Sequence, residues 1–452
     1  MNLVVGDKIK LDIRKQGING EGIGYYNRTL VFVPGAILKE SVFCEITFVS
    51  ETYASAKIAE VIRPSKKRAT PPCKYYEECG GCHMQHIDYT EQLKIKQSII
   101  KQSLHRYTGM KNVEDRIAKT IGMDYPYKYR NKSQMPFRNT NFGLALGFYK
   151  PESNHFVFVD ECLMHHDMIN KINREALRLL RKYKVKAYDN RNRDGILLHL
   201  VTRYFERSDS ASVTFVVREA DKILDTIAKE LIKDVPSVKS VSYSINDQTS
   251  NLVIADKAHI IAGEGWIEDN FKDLKIKVSP DAFHQLNTLQ MEQMYDLMLK
   301  AVEINDKAII FDLYSGIGIT SILLAKHAKK IYGIDYSHAS VKDAYENARI
   351  NKVQNVEFII GHVESEMPKL IKSRVIPDIV VMDPPRKGLS KHVVDALIKT
   401  EPKQIIYISC NPSTLAKNIS ELESKYEVAH IQPIDMFPNT ASVESITLLK
   451  RK

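Results

Sequence analysis

The sequence predicts an α/β chain in three parts: an OB-like β-barrel at the amino end, a mixed α+β centre, and a Rossmann-like, doubly wound parallel sheet at the carboxyl end. Three observations carry this reading. From about residue 283 onward, the apolar runs "KAIIFDLYSG", "KIYGID", "NVEFIIG", "DIVVMDPP" and "QIIYISC" alternate with helical segments, and strands apolar on both faces belong to a covered parallel sheet. The first 60 or so residues instead place short β-like runs between glycines: "GDKIKLDIRKQGINGEGIGYY", "TLVFVPGAI", "SVFCEITFVS" and "YASAKIAEVI". Five short strands with Lys and Arg on alternate positions suit a small barrel whose open face takes single-stranded nucleic acid. Between these parts, a helix in "YTEQLKIKQSIIKQSLHRYTG" precedes the alternating strands "GILLHLVTRYF", "ASVTFVVRE" and "VKSVSYSIND". The expected boundaries are 1–62, 63–282 and 283–452, with the helix near 90–110 packing back on the third part.

A chain of 452 residues suggests two to four domains, and 44% hydrophobic with 27% charged residues is the composition of a soluble globular protein. No apolar run approaches the roughly 20 residues that span a bilayer, and the start "MNLVVGDKIK" lacks a signal peptide's apolar stretch. A cytoplasmic protein with no membrane partner is expected. A formal charge of +10 and a pI near 9.0 favour an anionic partner. Between Val61 and Tyr76 stand Arg63, Lys66, Lys67, Arg68 and Lys74 with no acid, either a solvated linker or a groove that follows phosphates. "YPYKYRNKSQMPFR" interleaves aromatics with Lys128, Arg130, Lys132 and Arg138, which suits base stacking and phosphate contacts. A solvated basic strand is the competing view of any one of them.

"FDLYSGIGITS" is a strand, a glycine turn and a helix start, so that Gly316 and Gly318 let backbone approach a ligand at a helix amino terminus. Asp335 ends the next strand, 19 residues after Gly316, where an acid commonly takes ribose hydroxyls. Asp383 ends a later strand before two prolines. Thr320 and Ser321 follow the turn where a dinucleotide fingerprint has its third glycine, so S-adenosyl-L-methionine, which has no phosphate, fits better than NAD. Six cysteines in a chain of this length do not read as a disulfide framework. Cys73, Cys79 and Cys82 lie within ten residues of one another, and a fourth ligand from Cys162 suits either zinc or an iron-sulfur cluster. In "QIIYISCNPSTLAKN" an apolar strand delivers Cys410 to an Asn-Pro turn. Taken locally, that thiol is either a small core side chain or a strand-end nucleophile.

Several motifs together resemble one family. "DPPRKG", "SCNPSTLAKN" and "DMFPNTASVES" are similar to those of the RNA uracil-5-methyltransferases, and "GEGIGYY" with "LVFVPGAILKE" resembles a TRAM domain, an RNA-binding module. The combination with Cys73, Cys79, Cys82 and Cys162 looks like the branch acting on 23S rRNA. The resemblance implies Cys410 as the nucleophile, Glu444 as the general base and Asp383 at the cofactor and substrate. It implies Gln285 of "FHQLN", Tyr314, Gly316, Gly318 and Asp335 at the S-adenosyl-L-methionine site, and a 4Fe-4S cluster on the four cysteines, with zinc as the alternative. No obligate protein partner is implied. A tRNA uridine-5-methyltransferase would share the catalytic motifs, although that branch usually lacks the barrel and the cysteines. A non-catalytic iron-sulfur RNA-binding protein would keep the barrel and lose the thiol and the glutamate.

Overall fold

A computed structural model describes residues 3–247, 253–254, 257–303 and 305–452. The chain folds as two compact units. One comprises Met1–Pro126, Cys410–Ser420 and His430–Ser445; the other comprises Tyr127–Ser409, Glu421–Ala429 and Ile446–Lys452.

The first unit opens with a six-stranded sheet in the order Lys8–Asp12, Ser41–Val49, Tyr53–Arg63, Thr29–Val33, Gly22–Tyr26, Lys15–Gln16. Five of these match the expected strands; Lys15–Gln16 is a sixth, too short to leave a periodic signal. Along Lys8–Asp12, Ile9 and Leu11 point into the core while Lys8 and Lys10 stay outside. Gly24 admits a close crossing, because a Cβ there would lie 2.5 Å from the Leu11 side chain and 2.8 Å from the Asp12 carbonyl. Cys44 is fully buried in this core, where burial pushes its thiol up to about 11. It is a packing residue.

The helix predicted near 90–110 spans Tyr89–Tyr107, capped by Asp88, whose carboxylate accepts the Thr90 N–H at 3.0 Å. Of the apolar positions that periodicity marks on it, Ile95, Ile99, Ile100 and Leu104 are buried and Leu93 is half-buried. Gln92 and Lys96 are buried with them, which hydrophobic periodicity does not foresee.

The second unit holds a mixed seven-stranded sheet ordered His259–Gly263, Val238–Ile245, Ser210–Val217, Leu197–Phe205, Lys132–Thr140, Gly143–Tyr149, Phe156–Phe158, with helices Asp167–Lys182 and Ile223–Asp234 against it. Leu197–Phe205 and Ser210–Val217 were expected to alternate. Both are buried almost throughout, because they run in the middle of the sheet rather than at its edge.

The carboxyl-terminal sheet has the order Val356–Ile360, Lys330–Asp335, Ile309–Leu313, Ile379–Met382, Gln404–Ser409, Glu444–Arg451, Tyr426–Ile434. Its first four pairings are parallel. From Ile309–Leu313 the chain proceeds outward to Lys330–Asp335 and Val356–Ile360, then returns to Ile379–Met382 on the other side. That reversal leaves a crevice at the carboxyl ends of the central strands, where ligands bind in sheets of this kind. No helix among the described residues is long and apolar enough to cross a membrane.

Candidate active site

The glycine turn leaves the strand Ile309–Leu313 through Tyr314, whose φ is +64°, and enters the helix Ile319–Ala325. Its two glycines do different work. Gly316 takes a φ of +53° and donates its N–H to the Asp335 carboxylate at 2.9 Å. Gly318 takes a φ of +82°, and a Cβ there would strike the Phe358 ring at 2.7 Å. Asp335 also accepts the Ser337 N–H at 2.8 Å. A carboxylate offers about four acceptor positions, so two remain for the vicinal hydroxyls of a ribose. Burial raises its carboxyl above the ordinary range. Burial also raises the Tyr314 phenol, with the Glu364 carboxylate adding to the effect.

Asp383 follows Ile379–Met382 and donates its N–H to the Leu313 carbonyl at 3.3 Å, which sets it beside the end of the central strand. Burial pushes its carboxyl up to about 7. Gln285 donates from Nε2 to Asp383 Oδ2 at 3.4 Å, so two residues 98 positions apart in sequence meet in one polar floor. Asn131 braces that segment by donating from Nδ2 to the Gln285 carbonyl at 2.9 Å and to Thr288 Oγ1 at 3.0 Å. His284 Nε2 lies 3.3 Å from the buried Asp269 carboxylate behind it.

Asp312 was not anticipated. It is 3% exposed, its carboxyl is pushed up to about 7 by burial, and Ser321 donates its hydroxyl to it at 2.6 Å, which ties the first turn of the following helix to the strand. A lone acid inside the apolar run "AIIFDL" was the available signal.

Cys410 follows Gln404–Ser409, a strand buried at every position, and precedes the helix Pro412–Leu422. The residue is half-buried. Asn411 caps the helix: its Oδ1 accepts the N–H groups of Ser413 at 3.0 Å and Thr414 at 3.4 Å. Helix amino termini stabilise negative charge. Glu444 begins the strand Glu444–Arg451 and is 6% exposed. Burial lowers the ammonium of fully buried Lys96, and the Asp435 and then the Glu444 carboxylate act against that. The thiol and the glutamate fall in the same compact unit.

Cys73, Cys79 and Cys82 are half-buried in the loop region after the barrel. Cys79 accepts the Gly81 N–H at 3.4 Å, and its thiol is raised first by burial and then by neighbouring Cys73. Among the described residues, no group of three or more His, Cys, Asp or Glu side chains is arranged to hold a metal ion. Cys162, in the second unit, is half-buried, and its N–H donates to Asn170 Oδ1 at 3.2 Å.

The four basic candidates of the "YPYKYRNKSQMPFR" segment differ in their surroundings. Lys128, at a φ of +55°, pairs with Asp167 at 2.7 Å. Arg130 bridges by backbone to His165 and Asn287. Lys132 is half-buried, and burial with the Arg203 guanidinium pulls its ammonium down to about 7. Arg138 is exposed.

Comparison with known proteins agrees with this geometry. Residues 88–452 match the family model described as tRNA (Uracil-5-)-methyltransferase, and residues 3–59 match the TRAM domain. An uncharacterized RNA methyltransferase of Halalkalibacterium halodurans is 37% identical over 446 residues, covering 98% of this chain and 96% of that protein. One from Enterococcus faecalis is 36% identical over 452 residues, covering 99% and 98%. Among solved structures, the Pyrococcus abyssi tRNA (uracil-54, C5)-methyltransferase in complex with S-adenosyl-L-homocysteine superposes with a TM-score of 0.75 at 24% identity, covering 97% of this chain and 99% of that one. That is a likeness of fold.

Proposed function

The chain belongs to the tRNA (uracil-5-)-methyltransferase family and carries an amino-terminal TRAM domain, and from that premise we propose that it methylates carbon-5 of a uridine in 23S rRNA, in the cytoplasm, with S-adenosyl-L-methionine as methyl donor. The observation that carries this reading is Cys410, delivered by a buried strand to a capped helix start within the family-matched region. Carbon-5 of uracil is too weak a nucleophile to take a methyl group unaided. The Cys410 thiolate adds to carbon-6, and the carbon-5/carbon-6 π pair moves into the carbonyl as an enolate. Carbon-5 then attacks the sulfonium methyl, and the sulfur keeps the bond pair and leaves as S-adenosyl-L-homocysteine. Glu444 takes the carbon-5 proton, the double bond re-forms, and Cys410 departs as thiolate.

Asp335, with acceptor positions to spare, is suited to the donor's ribose, and the Gly316 and Gly318 turn to its approach. Tyr314 flanks that turn, and Gln285 with Asp383 supplies polar contacts. Reaching carbon-5 requires an unstacked base, so the target uridine lies in a loop or flips out. The barrel, Lys128, Arg130, Lys132 and Arg138 are assigned to holding the strand around it, in a chain divided as 1–62, 63–282 and 283–452.

The choice of 23S rRNA rests on the similarity of the four cysteines and the carboxyl-terminal motifs to that branch. The barrel does not decide it, because the Pyrococcus abyssi tRNA enzyme shares the fold over almost the whole chain. Incubation with 23S rRNA and with bulk tRNA, both lacking 5-methyluridine, followed by nucleoside mass spectrometry, separates the two. Product in 23S rRNA alone is expected. Product confined to tRNA overturns the rRNA reading, and product in neither supports a non-catalytic RNA-binding protein.

On the same resemblance, Cys73, Cys79, Cys82 and Cys162 are assigned to a 4Fe-4S cluster, for which four thiolates are the usual ligands. The positions of the described residues do not assemble such a site, so no step of the reaction is routed through it. Anaerobically prepared protein is expected to be brown, with about four irons per chain and absorption near 400 nm. Colourless protein containing zinc favours the alternative metal.

A further inference from the structure

Lys96 is a fully buried lysine on the helix Tyr89–Tyr107, and all three of its donors are used within one short loop. Its Nζ donates to the Asp435 carboxylate, to the Phe437 carbonyl at 3.0 Å and to the Ser442 carbonyl at 2.9 Å. Asp435 is equally buried, and its other oxygen accepts the Tyr89 hydroxyl at 2.9 Å. Tyr89, Gln92 and Lys96 recur at helical spacing on one face. Gln92 exchanges two bonds with Asn439, donating from Nε2 to its Oδ1 at 3.2 Å and accepting its N–H at 3.0 Å. Asn439 sits at a φ of +66°, its carbonyl taking the N–H groups of both His83 and Met84 at 3.0 Å.

One helix face therefore grips both ends and the tip of the loop 435–442. That loop runs directly into Glu444. Burying an ammonium and a carboxylate together is costly, and an apolar pair of similar volume is commonly as stable. The expense is better explained by geometry than by stability, because two carbonyls five positions apart are drawn to one point charge. Burial lowers the Lys96 ammonium, and the Asp435 and then the Glu444 carboxylate act against that.

We infer that Lys96, paired with Asp435, is a positioning residue that holds the loop 435–442 so that Glu444 stands where the carbon-5 proton is removed. This rests on Glu444 being the base. The test is the double variant Lys96→Met/Asp435→Asn, which removes both charges together and keeps an acceptor for Tyr89. RNA containing 5-fluorouridine traps the enzyme after methyl transfer, because the fluorine cannot be taken as a proton. The variant is expected to trap within about twofold of the parent's rate. With ordinary uridine RNA, release of 5-methyluridine product slows by about 10–100-fold and covalent adduct accumulates, since a misplacement of about 1 Å costs on the order of 10²-fold.

Equal loss of trapping and release shows a merely structural pair, and no loss of either shows none; each overturns the inference. Should the double variant fail to fold, Tyr89→Phe, which removes one bond to Asp435, is expected to give the same split at about 3–10-fold; unchanged release there overturns it equally. Glu444→Gln runs alongside. If it accumulates adduct while the Lys96 variants do not, the positioning role alone fails. If it does not, the base assignment fails first.

Discussion

Cys410→Ala folds, binds S-adenosyl-L-methionine as the parent does and forms no 5-methyluridine. The loss is at least on the order of 10⁴-fold, the scale on which removal of a covalent nucleophile is felt. Folding is spared for a local reason. The cap of the helix Pro412–Leu422 is the Asn411 side chain, not the thiol, and Cys410 is only half-buried, so alanine opens little space. The candidate cofactor residues Gln285, Tyr314, Asp335 and Asp383 are in the other compact unit, where the Gln285–Asp383 and Gly316–Asp335 hydrogen bonds are untouched. Equilibrium dialysis with labelled cofactor and nucleoside mass spectrometry of the RNA check the two halves of this outcome. Substantial methylation by the alanine variant would sink the nucleophile assignment.

Glu444→Gln gives the complementary result, a protein-RNA adduct that survives denaturing electrophoresis. Addition of Cys410 and methyl transfer do not need the carboxylate, whereas elimination cannot begin until the carbon-5 proton leaves. A positioned base contributes about 10²–10⁴-fold, so release slows by that factor and the methylated adduct accumulates. Glutamine keeps the volume of a residue that is 6% exposed, and the Lys96–Asp435 pair remains to hold the loop before it. Retained methylation without adduct would remove Glu444 as the base.

Much of the candidate site was legible because it stands at strand ends. An apolar run that stops at an acid, a glycine turn or a cysteine marks the carboxyl edge of a parallel sheet, and Asp335, Asp383 and Cys410 each occupy such a position. Gly316 and Gly318 were legible as a turn, but not in their separate duties to Asp335 and Phe358. Asp312 was overlooked because its strand reads as apolar. The contrast between half-buried Lys132 and exposed Arg138 was hidden in an evenly basic segment.

Residue type and local setting are therefore written along the chain: which side chains end strands, which glycines turn, and which thiol precedes an Asn-Pro break. Which distant segments share an interior emerges only on folding. Lys96 and Asp435 are 339 positions apart, and each would be read alone as a solvated charge. A buried charge is tolerable only when the fold supplies its partner, and no local pattern carries the identity of a partner that far along the chain.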